Sequence, residues 1–328
     1  MRLLVTGGLG FIGSNFILKI LNENENIEIV NVDAELSGSN KKNLVSVQND
    51  NRYEFVKGNI TNRRLMEELI DRCDSVVNFA AESFVDKSIS NAEPFLVSNI
   101  RGAYTILDLI TKKKKRMIQI STDEVFGSLS IGTADEESKM NPSNPYAATK
   151  AAAELLINSY STTYQSDVII TRCTNNYGPR QFPEKLIPKI VLLLKQKKKI
   201  PVYGNGKNIR DWIFVEDHCD AIYKVLMKGK SGESYNISGN NEITNLEIIN
   251  KIIELVGGSN DEIEFVEDRP GHDFRYSLDS SKITNELDWT PKISFKEGIR
   301  KTIEWYNENS DSFQSSSNEI LKSTPWKT

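Results

Sequence analysis

The run Thr6-Gly7-Gly8-Leu9-Gly10-Phe11-Ile12-Gly13 constrains this chain more than any other segment. It follows a short apolar stretch, Arg2–Thr6, and opens an amphipathic one, Phe11–Leu21. Glycines at 7, 10 and 13 let a strand turn sharply into a helix. Bare backbone at the turn lets a pyrophosphate approach the first helical amides, and the last glycine lets the helix lie close to the strand. A glycine triplet alone is a weak signal, but the flanking strand and helix make it a dinucleotide fingerprint.

The first half of the chain agrees with that reading. Apolar runs at Ile27–Val32, Tyr53–Lys57, Ser75–Phe79, Met117–Ser121 and Val168–Arg172 predict buried strands. Helical spacing at Arg63–Asp71, Pro94–Lys112 and Tyr146–Tyr164 separates them. The alternation predicts an α/β fold, a Rossmann-type doubly wound parallel sheet. Beyond Thr174, loops rich in Asn, Gly and Pro alternate with helices at Lys185–Gln196, Glu216–Met227 and Asn245–Val256. We therefore expect residues 1–174 to bind NAD and carry the catalytic groups. Residues 175–310 are expected to form a smaller α/β lobe for substrate, with interleaving left open, and 311–328 a poorly ordered polar tail.

Asp33 closes the second strand, where a carboxylate accepts hydrogen bonds from ribose hydroxyls and repels a 2′-phosphate, so NAD is expected over NADP. Asn59 and Ile60 follow the third strand and can border the adenine. Phe79, Ala80 and Ala81 end the fourth with small residues suited to close approach.

Tyr146 and Lys150 lie one helical turn apart. A phenol near pKa 10 is a poor base, but a neighbouring ammonium and the positive nicotinamide favour the phenolate. Ser121-Thr122-Asp123-Glu124 closes the fifth strand, at the edge where doubly wound sheets place their active sites. Thr122 can bond the reacting oxygen. Asp123 and Glu124 are adjacent carboxyls that divide into acid and base when their surroundings differ.

These residues resemble the extended short-chain dehydrogenase/reductases, and within them the dTDP-glucose 4,6-dehydratases. The resemblance runs from Leu3 to about Pro291 and takes in Ala80-Ala81-Glu82-Ser83, Ser121–Gly127, Asn144-Pro145-Tyr146, Asn175–Pro179, Gln181–Pro188, Arg210-Asp211-Trp212 and Asp268–Asp273. It implies that Tyr146, with Lys150 and Thr122, oxidises C4 of a nucleotide sugar on NAD. Glu124 then removes the C5 proton, Asp123 protonates the departing C6 hydroxyl, and reduction at C6 completes a 4-keto-6-deoxy sugar. It also places Phe11, Ile12, Asn99 and Ser121 around the cofactor. Ser83, Thr122, Asn175, Lys185, Leu186, Pro201, Tyr203, Arg210, Asn245, Arg269 and His272 are placed around the substrate, and a homodimer is implied. Three departures stand out: Ala34–Asn40 departs from the family's usual segment, Asn59 replaces the family's Asp, and Phe84 replaces a common His.

A 4-epimerase shares the fold and Tyr/Lys but has no use for the Asp-Glu pair, and a decarboxylase carries Ser at the Asp123 position. UDP-glucose as substrate and a non-catalytic NAD sensor or scaffold remain open alternatives. A formal charge of −4 over 328 residues exerts no pull toward nucleic acid or membrane. Leu3–Thr6 runs straight into the glycine turn, so no leader segment is expected. Two histidines, His218 and His272, make a His-rich metal site unexpected. Cys73, Cys173 and Cys219, odd in number and far apart, predict a reducing cytoplasm.

Overall fold

The structure is a computed structural model describing residues 1–309. The expected tail, 311–328, lies outside the described residues. Strands Arg2–Thr6 (β1), Glu28–Asp33 (β2), Tyr53–Lys57 (β3), Ser75–Asn78 (β4), Arg116–Thr122 (β5) and Val168–Cys173 (β6) pair in parallel. Burial does not alternate along β1: Leu3, Leu4 and Val5 are all fully buried, because helices cover both faces of the sheet. Phe11–Glu23 (α1) and Arg63–Asp71 (α2) are two of these helices.

The expected helix over Pro94–Lys112 is less regular than its spacing suggests. Val85–Ser90 (α3) and the single turn Glu93–Phe95 (α4) lead into a π-helical stretch, Leu96–Gly102, before Ala103–Lys113 (α5). Within the wide turn Asn99 points inward, bonding the main chain of Glu82 at 2.8 and 3.0 Å and the Thr149 hydroxyl at 2.9 Å. Those partners lie far along the chain, so local periodicity carries no trace of them.

Pro145–Tyr164 (α6) starts where its sequence says it should. The Asn144 side chain accepts from the Ala147 amide at 2.9 Å, and Pro145 sits where its missing N–H costs nothing. Asn175–Tyr177 (β7), Leu186–Lys195 (α7), Ile200–Tyr203 (β8), Ile209–Phe214 (β9) and Val215–Lys228 (α8) follow. Next, Ser234–Ile237 (β10) pairs with β6 and completes a seven-stranded sheet ordered β10-β6-β5-β4-β1-β2-β3. The second half of the chain thus returns to the sheet of the first. Glu242–Thr244 (β11), Asn245–Val256 (α9), Ile263–Val266 (β12), Ser281–Leu287 (α10) and Phe295–Glu308 (α11) complete the described residues. A separate apolar core joins α7, α9 and α11 around β8 and β9.

A polar line crosses the middle of the sheet. The Thr6 hydroxyl donates to Asn78 at 2.5 Å, Asn78 to Gln119 at 2.8 Å, and Gln119 to the Ile120 carbonyl at 3.1 Å. The Ala80 amide donates back to Thr6 at 3.2 Å, which holds the loop after β4 over the sheet edge. Asn78→Val should therefore leave two buried groups unpaired and destabilise the protein by about 1–3 kcal/mol. Urea unfolding should show a lower midpoint at unchanged slope; an unchanged midpoint would show that the line contributes nothing.

Candidate active site

The C-terminal ends of β1, β2, β4, β5 and β6 open into one long cleft with two chambers. The first, about 300 Å³, runs from the glycine turn to the end of β5. Gly7 adopts φ +68°, and a Cβ there would lie 2.7 Å from the Ala80 amide nitrogen. A Cβ on Gly13 would meet the Gly7 carbonyl at 2.6 Å. The cradle therefore exists only with glycine, and it faces the first amides of α1.

Gly10, Phe11, Ile12, Asn59, Ile60, Phe79, Ala80, Ala81 and Ser121 line the same chamber. Asp33 stands at the far end, its carboxylate accepting from the Leu9 and Glu35 amides at 3.0 and 2.8 Å and from Ser39 at 2.8 Å. A carboxylate held by three donors is oriented before any ribose arrives. The chamber fits an extended dinucleotide with unmodified ribose. Asn99 does not reach the cavity; it stands behind the wall, holding Glu82 against α6.

Near the end of β5 the chamber narrows around Thr122, Asp123, Glu124, Tyr146 and Lys150. The Lys150 ammonium donates to the Ile120 carbonyl at 2.5 Å. Burial draws Lys150 down to about 8, against the opposing pull of the Glu154 carboxylate. Burial pushes the Tyr146 phenol well above its ordinary value, and the Glu124 charge adds to this; the Thr122 hydroxyl pulls the other way.

The two carboxyls sit in different surroundings. Asp123 is 3% exposed; Oδ1 accepts from Thr122 at 3.1 Å, and Oδ2 has no hydrogen-bond partner among the described residues. Burial, reinforced by the neighbouring Glu124 charge, holds Asp123 well above the usual carboxylate range. Glu124 is half-buried and accepts from the Asn144 amide group at 3.2 Å. Burial thus favours the protonated form of Asp123 beside a more exposed Glu124, an arrangement able to donate one proton and remove another.

The second chamber, about 170 Å³, is lined by Asn175, Lys185, Leu186, Pro201, Tyr203, Arg210, Asn245, Arg269 and His272. Phe84, Asn175 and Lys185 line both chambers. Ser83 and Thr122 line the first, so the expected substrate set spans the junction. Arg210, 4% exposed, donates to the carbonyls of Ile209, Asp273 and Phe274 at 2.7, 2.8 and 3.2 Å. Its guanidinium carbon lies 4.2 Å from the centre of the Tyr276 ring. Arg269 pairs with Asp86 at 3.1 Å. His272 meets Asp268 at 2.6 Å, and burial with the Arg269 charge draws its imidazole down to about 4.

Residues 4–302 match the family model described as GDP-mannose 4,6 dehydratase. A low-salt glycan biosynthesis protein, Agl12, of Haloferax volcanii is 47% identical over 307 residues, covering 93% of this chain and 98% of that one. A dTDP-glucose 4,6-dehydratase of Streptomyces niveus is 44% identical, covering 94% of each chain. The crystal structure of dTDP-glucose 4,6-dehydratase from Bacillus anthracis in complex with NAD superposes with a TM-score of 0.91 at 45% identity, covering 98% of this chain and 100% of that one.

The chain belongs to the nucleotide-sugar 4,6-dehydratases.

Its departures from the family pattern now have surroundings. Phe84 packs against Phe182 at 5.5 Å, with Lys87 and Lys185 over its ring at 4.5 and 4.9 Å. Asn59 turns back to accept from the amide and hydroxyl of Thr61 at 2.9 and 2.8 Å. Asp86, Lys189 and Trp212 also line the second chamber, although the sequence reading did not single them out as site residues. Asp86 lies far from Arg269 along the chain, and no spacing rule could have joined them.

Asp123 also links the site to stability. Its folded pKa is raised above the ordinary 3.8, so the unfolded chain ionises first. Its stabilising contribution is present in full below the unfolded value and is lost as pH rises through the folded one. Asp123→Asn removes that dependence. Denaturant midpoints measured from about pH 4 to about pH 8 should move progressively in favour of the variant; parallel curves would rule out a protonated Asp123.

Proposed function

We propose that this protein is an NAD-dependent hydro-lyase that converts dTDP-glucose to the 4-keto-6-deoxy sugar. The observation that carries the reading is the Asp123–Glu124 pair, unlike in environment and adjacent to the Tyr146–Lys150 pair. NAD, held by the Gly7–Gly13 turn and Asp33, would supply an acceptor for the C4 hydride and the donor that reduces C6. Tyr146 takes the C4 hydroxyl proton, aided by the Lys150 ammonium and the Thr122 hydroxyl. The new ketone acidifies the C5 hydrogen, which Glu124 removes and later returns to C5 as C6 is reduced. Asp123 delivers its proton to the C6 hydroxyl, and water leaves.

A 4-epimerase would need only the first of these steps and has no use for the carboxyl pair. In the second chamber, Arg210, Arg269 and Lys185 suit a diphosphate, and Tyr203, His272, Pro201, Leu186 and Asn245 form walls for the nucleoside. Residues 1–174 mainly serve the cofactor and the chemistry, and residues 175–310 mainly the nucleotide sugar.

Incubation with dTDP-glucose should yield product lighter by one water, faster than with UDP-glucose. Glu124→Gln should still oxidise C4 and accumulate enzyme-bound reduced nicotinamide, while elimination slows about 10²–10⁴-fold. Tyr146→Phe should form no reduced nicotinamide at all. Dehydration by Glu124→Gln at the wild-type rate would sink the assignment of its role.

Assembly follows from one face. Leu96, Tyr104, Leu155 and Tyr164 are exposed on the π-helical stretch, α5 and α6, with Tyr160 edge-on to Tyr104 at 6.4 Å and beside Tyr164 at 4.9 Å. Two such helix pairs meeting about a two-fold axis would bury this apolar surface in a homodimer. Light scattering at micromolar concentration should return twice the 37.1 kDa chain mass; a monomer mass would refute it. Three buried, unbridged thiols, Cys73, Cys173 and Cys219, suit a reducing cytoplasm. No helix of the described residues is long and apolar enough to cross a membrane.

A further inference from the structure

Behind the Tyr146–Lys150 pair lies a buried charged cluster that the reaction steps above do not use. Tyr146, Lys150 and Glu154 follow one another at successive turns along one face of α6. Glu154 is completely buried. Its carboxylate accepts from the Ser121 hydroxyl and from Arg172 Nε at 2.9 Å, and pairs with the Arg172 guanidinium at 2.8 Å. Arg172, on β6, also donates to the Glu136 carbonyl at 3.1 Å and lies 5.0 Å from the centre of the Phe126 ring.

Two neighbouring residues of β5 therefore receive two successive turns of α6. The Ile120 carbonyl takes Lys150, and the Ser121 hydroxyl meets Glu154. Thr122, the residue after them, lines the cavity beside Tyr146. Displacing Glu154 would loosen the helix where its register against β5 decides how Tyr146 and Thr122 meet.

The charge matters as well as the anchor. Among the described residues Lys150 makes no ion pair, and a buried ammonium without nearby negative charge gives up its proton. The groups that bear on it are few. From α6 there is Glu154; from β6, the Cys173 thiol, which burial pushes up to about 12, and Arg172, already committed to Glu154. Tyr146, the partner that Lys150 serves, faces Glu124 and Asp123 from the turn after β5, and Cys173. Burial and the Glu124 charge favour the neutral phenol.

We infer that Glu154 is a positioning residue for catalysis, pinning α6 to β5 through Ser121 and placing a negative charge behind the Lys150 ammonium. The inference rests on the assignment of Tyr146 as the C4 base. Without Glu154, Lys150 loses its proton at lower pH, and the Tyr146 phenolate loses the cation that favours it. Tyr146 should then ionise only at higher pH.

The test uses the NAD-loaded enzyme and three variants. Glu154→Gln removes the charge; Glu154→Gln with Arg172→Met removes it without stranding a buried guanidinium; Glu154→Asp keeps it. The first readout needs no substrate: the near-ultraviolet absorbance of tyrosinate against pH, taken as the difference from Tyr146→Phe. Ionisation of Tyr146 should move upward by about one pH unit in the neutral variants and stay close to wild type in Glu154→Asp. The second is single-turnover C4 oxidation of dTDP-glucose, which should slow about tenfold at neutral pH with little change in substrate affinity. If the folded double variant keeps the wild-type tyrosinate titration and rate, the inference is wrong. Should both neutral variants fail to fold while Glu154→Asp folds, Glu154 is a structural anchor and the inference is equally overturned. If wild type instead fails to oxidise dTDP-glucose, the proposed function is at fault, and the tyrosinate titration still decides the role of Glu154.

Discussion

The Ile120 carbonyl is the meeting point on which the rest of the site depends. It accepts from Gln119, the end of the polar line through Thr6 and Asn78, and from the Lys150 ammonium of α6. Sheet and helix therefore share one buried acceptor. A buried acceptor with two donors resists displacement, because moving either donor leaves a polar group unpaired in an apolar interior. The glycine cradle, held through Thr6 and Ala80, and the Tyr146–Lys150 turn of α6 are thus tied to one another by a few hydrogen bonds.

Around that point the protein sorts charges by environment. Asp123 is buried at the end of the cavity, where burial and the Glu124 charge raise its pKa; Glu124, one residue on, is more exposed. The short 3₁₀ turn Asp123–Phe126 makes this possible by pointing adjacent side chains in different directions. Gly127 ends the turn at φ +71°, where a Cβ would collide with the Asn141 carbonyl. Different roles for neighbouring residues of similar chemistry come from the backbone geometry and not from the side chains themselves.

Much of this could be read from the chain. The glycine turn, the strand-end Asp33, and the Thr122–Glu124 and Tyr146–Lys150 groups are each encoded within a few residues, and the structure gathers them into one cleft. Strand and helix positions followed hydrophobic period wherever a segment packs on its nearest neighbours. What escaped depends on distant partners. β10 carries no local sign that it will complete the sheet beside β6. The π-helical turn around Asn99 exists because Glu82 and Thr149 wait for that side chain. Phe84 shows in sequence only as a departure from the family's common His; its place at the junction of both chambers depends on distant neighbours.

The Asp86–Arg269 pair bears on how such a cleft survives between turnovers. A pocket built to hold a diphosphate gathers cations, and gathered cations repel one another and draw in stray anions. Here one acidic side chain from α3 occupies the guanidinium at 3.1 Å. On the proposed reading, taking up a nucleotide becomes a swap of one anion for another rather than the filling of a bare positive hole. The resting protein carries a removable internal counter-ion, so it can stand empty without exposing the charge that its ligand will need.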